Sequence, residues 1–329
     1  MTLSTEKSPE EATVSSVAVV GAGAMGCLFG ALLSRSGVSV VLKEPNRPKR
    51  AAIEKKGLEL VERAQRSSFE VGVVAPETET PFVDAAILCV KAYDTATAAS
   101  QLAATLEPHV PVLTLQNGLG NMEHLTESLG AHRIVAGTTS LGAHMPSDTQ
   151  VVYAGRGEVH MGAAQGSPSS HVETMAALFR GAGVEVTVSP DVNEILWSKL
   201  VVNVAINALT YVLGVPNGAL DELQGAKAIM HDVIEEAVLV ARVEGVELDA
   251  GEAAQRVSRV VEATAENRSS MLMDRIRNRR TEIAHINGAV ARRARTHELE
   301  APVNETLTRL VLADEQARRL GKSTLLAST

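Results

Sequence analysis

The chain has 329 residues, 45% of them apolar and 21% charged, which is more than one usual core holds and points to two globular domains. Its formal charge of −8 argues against bulk binding to nucleic acid or to an anionic membrane. The two cysteines, Cys27 and Cys89, sit in apolar runs and read as buried thiols in a reducing cytoplasm, which excludes a disulfide framework.

Residues 1–15 are polar and lack the basic start and apolar core of a signal peptide, so they read as a frayed tail. No apolar stretch is expected to reach the roughly 18–20 residues of a membrane span. From Val17 to about Pro190, short β-branched runs alternate with helical patterns. Predicted strands are Val17–Val20, Val38–Leu42, Ala85–Val90, Val112–Leu115, Ile134–Ala136 and Val184–Val188, with helices such as Met25–Ser34 and Met122–Ser128 between them. Such alternation implies right-handed βαβ units and a doubly wound sheet.

Gly21-Ala22-Gly23-Ala24-Met25-Gly26 follows the first strand and opens a helix. With a strand before it and a helix after it, this spacing is a dinucleotide-binding fingerprint. Gly21 permits the tight turn, Gly23 lets a pyrophosphate approach the backbone, and Gly26 lets the helix pack close to the strand. The helix start offers N–H groups and a positive dipole end to the phosphates. At the end of the second strand, Glu44 lies 23 residues after Gly21, where an acid would hold a ribose 2′-hydroxyl and favour NAD. Lys43, Arg47, Lys49 and Arg50 crowd the same loop and would hold a 2′-phosphate. The balance leans slightly to NADP, and Glu44 keeps NAD open.

Further on, Asn117-Gly118 follows an apolar strand, at the strand end where doubly wound sheets bind ligands. The Gly-rich stretch Tyr153–Gly162 reads as a hairpin or turning strand near the sheet edge. After Pro190 nearly everything reads as helix, so the expected layout is a tail over 1–15, a dinucleotide-binding domain over 16–190 and an all-α domain over 191–329. Inside the first long helix, Lys199, Asn203 and Asn207 recur every four residues among apolar neighbours. That spacing puts three polar heads on one stripe, each about 6 Å along the axis from the last. Polar groups so placed are expensive unless they bind something or each other. The basic runs Arg275–Arg280 and Arg292–Arg295 read as solvated or salt-bridged faces, and Trp197 as packing between the domains. No spacing suggests a metal site.

Together Gly21–Gly26, Lys91, Gln116-Asn117-Gly118-Leu119-Gly120, the Lys199/Asn203/Asn207 helix, Asn267-Arg268-Ser269-Ser270-Met271 and Thr281-Glu282-Ile283 resemble the ketopantoate reductases (2-dehydropantoate 2-reductases) from about Ser16 to Leu320. The resemblance implies an α/β Rossmann-type, doubly wound N-terminal domain plus an all-α C-terminal domain. It implies reduction of a 2-keto acid by NADPH, with 2-dehydropantoate as first candidate, and a homodimer. By position, Lys199 would protonate the carbonyl oxygen, and burial that lowers its pKa suits it to that task. Asn203 and Asn207 would orient it and bind substrate, and Asn117 would face nicotinamide and substrate. Lys91 would sit by the cofactor or the substrate carboxylate. Asn267 and Ser270 would bind that carboxylate from one helical face. Glu282 would contact a substrate hydroxyl, and a break in the chain between Ser270 and Glu282 is needed for both to serve. Two other readings stand beside this one: an NAD-dependent D-2-hydroxyacid dehydrogenase for other branched or aromatic keto acids, and a non-catalytic dinucleotide sensor.

Overall fold

The computed structural model describes residues 14–80, 82–165 and 167–322, so the expected frayed tail lies outside the described residues up to residue 13. Ser15, at the end of that tail, donates both its N–H and its hydroxyl to Asp84. Two compact units make up the chain. One holds the residues up to Val90, 97–115 and 125–190; the other holds 91–96, 116–124 and the residues from Asp191 on. The sequence boundary near Pro190 did not anticipate the two short segments 91–96 and 116–124.

From the N-terminal side the elements are β1 (Ser16–Val20), α1 (Ala24–Arg35), β2 (Ser39–Lys43), α2 (Arg47–Lys56), β3 (Leu58–Glu62), β4 (Gln65–Phe69) and β5 (Gly72–Val74). There follow β6 (Ala85–Leu88), α3 (Thr95–Thr105), β7 (Val112–Thr114), α4 (Asn121–Leu129) and β8 (Ile134–Thr139). Then come β9 (Gly142–Ser147), β10 (Gln150–Gly155), β11 (Glu158–Ala163), α5 (Ser169–Gly181) and β12 (Glu185–Val188). Eight strands form one sheet in the order β12-β11-β8-β7-β6-β1-β2-β5, parallel at every pairing except β11 with β8. Val17, Ala18 and Val19 of β1 are fully buried, as a parallel strand covered on both faces must be. β1 lies between β2 and β6, with Val20 opposite both Lys43 and Leu88. The strand order therefore reverses at β1, and its C-terminal end is the place where such sheets bind ligands. α1 covers this region with a buried face from Gly26 to Leu33, and Phe29 meets Phe179 of α5 edge to face at 5.2 Å.

A second sheet, β4-β3-β10-β9, was not foreseen. β3 and β4 are joined by Arg63 and Ala64, both at positive φ (47° and 68°), a two-residue hairpin turn without its usual Asn-Gly or Gly signal. Of the two readings of Tyr153–Gly162, the hairpin fails and the turning strand holds. β10 pairs with β3 and β9, β11 with β8 and β12, and Gly155 to Glu158 carries the chain from one sheet to the other.

The second unit is helical after Pro190: α6 (Val192–Leu213), α7 (Gln224–Val243), α8 (Ala250–Ala263), α9 (Ser270–Ile276), α10 (Asn287–Thr296) and α11 (Pro302–Arg319). Asp191 caps α6 by accepting the N–H groups of Asn193 and Glu194, and Gly214, left-handed at φ 72°, ends it. Contrary to the sequence expectation, α6 with 22 residues is long and apolar enough to cross a membrane by length and composition. Here it is the central helix of a bundle, apolar nearly all round because its neighbours cover it. Trp197 is part of that core, with Leu200, Val201 and Val204.

Candidate active site

The turn after β1 is built from backbone. Gly21 has φ +97° and its N–H donates to the Lys43 carbonyl at 2.9 Å, which ties the turn to the end of β2. A Cβ on Gly21 would stand 2.9 Å from the Val90 nitrogen, and one on Gly26 only 1.9 Å from the Gly21 oxygen. A Cβ on Gly23 would meet nothing within 4 Å. Gly23 is exposed, Ala24 and Met25 are half-buried, and Ala22 is buried. No side chain caps the start of α1, so its first N–H groups remain for an anion. A cradle open at Gly23 and closed at Gly21 and Gly26 fits a dinucleotide pyrophosphate. The Cys27 thiol donates to the Ala22 carbonyl at 3.1 Å, and burial pushes its pKa up to about 12, so it stays protonated.

Just beyond β2, Glu44 is buried, and its Oε1 accepts the Asn46 N–H at 2.8 Å. Lys49 donates to the Ala22 carbonyl and stands 3.9 Å from Glu44 Oε2. Arg50 Nη1 donates to the carbonyls of Glu44 and Pro45. Lys43 corrects the sequence reading. It is 1% exposed, and its ammonium donates to the Pro76 and Thr78 carbonyls and to Thr105 Oγ1. As the last residue of β2 it buries its side chain in the protein, away from any solvent-side ligand. One of the four cations behind the lean to NADP is thus engaged elsewhere.

The second unit gathers a polar cluster. Lys91 Nζ lies 2.8 Å from Asp274 Oδ2 and 3.3 Å from Glu282 Oε2, and the Ala92 N–H donates to Glu282 Oε1 at 2.9 Å. Burial pulls the Lys91 pKa down, but the two carboxylates outweigh it and hold the ammonium charged beyond the ordinary lysine range. Burial alone dominates at Lys199 and lowers its pKa to about 8, with Glu282 opposing the shift. On the same helix Asn207 is buried, and Asn203 Nδ2 is buried with no hydrogen-bond partner. A donor left in this state is what a ligand oxygen would satisfy. The Asn117 loop is fixed from two sides. Asn121 Nδ2 donates to the Asn117 carbonyl at 3.0 Å, and the Leu119 N–H donates to the His285 carbonyl at 2.9 Å. Gly118, at φ +82°, comes so near that a Cβ would stand 2.3 Å from the His285 oxygen. Among the described residues no group of three or more His, Cys, Asp or Glu side chains could hold a metal ion.

Two family models match the chain: ketopantoate reductase PanE/ApbA over residues 17–166 and its C-terminal counterpart over residues 191–315. The chain belongs to the ketopantoate reductase family of oxidoreductases. A 2-dehydropantoate 2-reductase of Halobacterium salinarum is 36% identical, over 90% of this chain and 97% of its own length. That of Archaeoglobus fulgidus is 36% identical over 91% and 97%. Among solved structures, a PanE/ApbA family ketopantoate reductase from Ralstonia eutropha JMP134 has 35% identity and a TM-score of 0.85, covering 92% of this chain and 99% of its own. A D-mandelate dehydrogenase with NADH and anilino(oxo)acetate has 27% identity and a TM-score of 0.89 at the same coverage.

Within this family member, the residues expected from Asn267 to Glu282 are arranged differently from the sequence reading. Asn267 and Ser270 do not share a helical face. α9 starts at Ser270, Ser269 is its cap, and Asn267 lies before it with its carbonyl accepting the Asn217 N–H. Ser270 is exposed and Ser269 buried, its Oγ accepting the Thr210 hydroxyl at 2.7 Å. The break needed between Ser270 and Glu282 is present, since α9 ends at Ile276 and Glu282 stands before a single turn, Ile283–His285. Lys91 faces two carboxylates where a partner for cofactor or substrate was expected. Asp274 was missed, although it lies four residues after Ser270, a helical repeat that could have marked it. Three arginines of the basic runs have partners: Arg275 is buried and bonds the Tyr211 carbonyl, Arg280 stacks over Tyr93 at 4.4 Å, and Arg293 pairs with Glu244 at 2.6 Å and with Glu123.

Proposed function

We propose that this protein reduces a 2-keto acid to the D-2-hydroxy acid with a reduced nicotinamide dinucleotide, and that 2-dehydropantoate is its substrate. The observation that carries this reading is Lys199, a half-buried lysine with its pKa lowered to about 8, one helical turn from the unpartnered amide of Asn203. Gly21, Gly23, Gly26 and the first turn of α1 would hold the dinucleotide, which when bound supplies a hydride for the keto carbon. Lys199 donates the proton to the carbonyl oxygen, whose developing negative charge its ammonium also stabilises. Asn203 Nδ2 donates a hydrogen bond to a substrate oxygen, and Asn207 holds its place on the same stripe. Glu282 keeps Lys199 from losing its proton too early, since its charge opposes the effect of burial. Asn117 orients the ligands from a loop that Gly118 and Asn121 hold still.

The test is to mix the purified protein with a panel of 2-keto acids and NADPH or NADH, and to follow nicotinamide absorbance. Fastest turnover is expected with 2-dehydropantoate. Preference for an aromatic keto acid would favour the dehydrogenase reading, to which the similarity to a D-mandelate dehydrogenase lends weight. No oxidation with any keto acid would leave the sensor. A homodimer acting in the cytoplasm completes the proposal, and light scattering tests the dimer.

A further inference from the structure

We infer that Glu44 makes this chain select the dinucleotide that lacks a 2′-phosphate, so that NADH is preferred to NADPH. The inference rests on the reading of the protein as a nicotinamide-dependent reductase and deepens it. The end of β2 is where a doubly wound sheet reads the adenosine ribose. Here β2 is held in register with β1, and the Gly21 N–H bonds the Lys43 carbonyl, so Glu44 is the first residue beyond the strand and adjoins the glycine turn. Its side chain is 11% exposed and its carboxylate is held by the Asn46 N–H, so it does not swing aside as a surface glutamate would. A carboxylate accepts hydrogen bonds from a ribose diol. A 2′-phosphate in that place brings between one and two further negative charges beside it.

The loop's cations do not offset that repulsion. Lys43 spends its ammonium on Pro76, Thr78 and Thr105. Lys49 donates to the Ala22 carbonyl and lies beside Glu44 itself, and Arg50 uses one terminal nitrogen on the carbonyls of Glu44 and Pro45. Arg47 is exposed. Three of the four cations that argued for a 2′-phosphate therefore already serve the turn and the strand end.

The test is equilibrium binding of NADH and of NADPH, by nicotinamide fluorescence without keto acid, to the intact protein and to Glu44→Gln. The substitution keeps the size of the side chain and can still accept the Asn46 N–H, and a thermal melt checks that it folds. NADH is expected to bind roughly tenfold or more tighter than NADPH, and Glu44→Gln to narrow that ratio mainly by strengthening NADPH. Glu44→Arg is expected to invert it. Equal or tighter NADPH binding by the intact protein, or a ratio unchanged in Glu44→Gln, overturns the inference while leaving the reductase reading in place. Failure of both dinucleotides to bind overturns the two together.

Discussion

The two candidate sites are built in opposite ways. The glycine turn of the first unit consists of backbone within six consecutive residues, and what qualifies it is the space that Gly23 leaves and the closeness that Gly21 and Gly26 require. The cluster of the second unit consists of side chains at positions 91, 199, 274 and 282, far apart in the sequence, and what qualifies it is charge. A site made of backbone is local, so spacing alone betrays it. A site made of side chains is scattered along the chain, and its chemistry depends on neighbours that no local pattern names.

Substitutions can break this contrast or sharpen it. The largest effect is expected from Lys199→Ala: a loss of about a thousandfold or more in kcat, with dinucleotide binding unchanged by fluorescence titration. Near-normal turnover would remove the proton donor from the mechanism. Next comes a pair within the turn. Gly26→Ala places a Cβ 1.9 Å from the Gly21 oxygen, so both the melting temperature and dinucleotide affinity should fall. Gly23→Ala meets nothing in the protein, so the melt should hold while affinity drops by about tenfold or more. Equal losses in both would mean that Gly23 matters for folding and not for a ligand.

A subtler effect concerns pH. Lys199 must be protonated to act as an acid, so kcat is expected to fall as pH rises through about 8. Glu282 raises the Lys199 pKa, so Glu282→Gln should move that falling limb to lower pH as well as reduce kcat. A limb that stays put would show that another group titrates. The smallest effect belongs to Lys43→Met: less than about twofold in NADPH affinity, because the ammonium is engaged inside the protein.

The contrast also explains how much was legible beforehand. The path from β1 through the glycine turn to β2 could be read because a fully apolar strand, three glycines and a second apolar strand each carry a separate signal. β3 and β4 escaped because β4 is polar and exposed, and because Arg63-Ala64 makes a left-handed turn with residues that do not advertise one. Lys43 misled because a cation near the end of a strand reads as a loop charge, while the carbonyls that hold it, at Pro76 and Thr78, lie 33 and 35 residues away in the sequence. Lys199 stood out as a charge among apolar residues, but Asp274 did not, since its partner Lys91 lies 183 positions away. Asn267 was set on a helix that begins three residues later, the ordinary uncertainty of a helix start.

The division of labour within the first unit has a consequence for how such a protein can change. The glycine turn would grip through backbone only what every nicotinamide dinucleotide has in common, so substitutions there change how tightly any of them binds and not which one is chosen. Whatever distinguishes one dinucleotide from another must be read past the end of β2, at Glu44 and the residues after it. A lineage could therefore exchange one redox currency for another by mutating that short stretch, while the grip itself stays as it is.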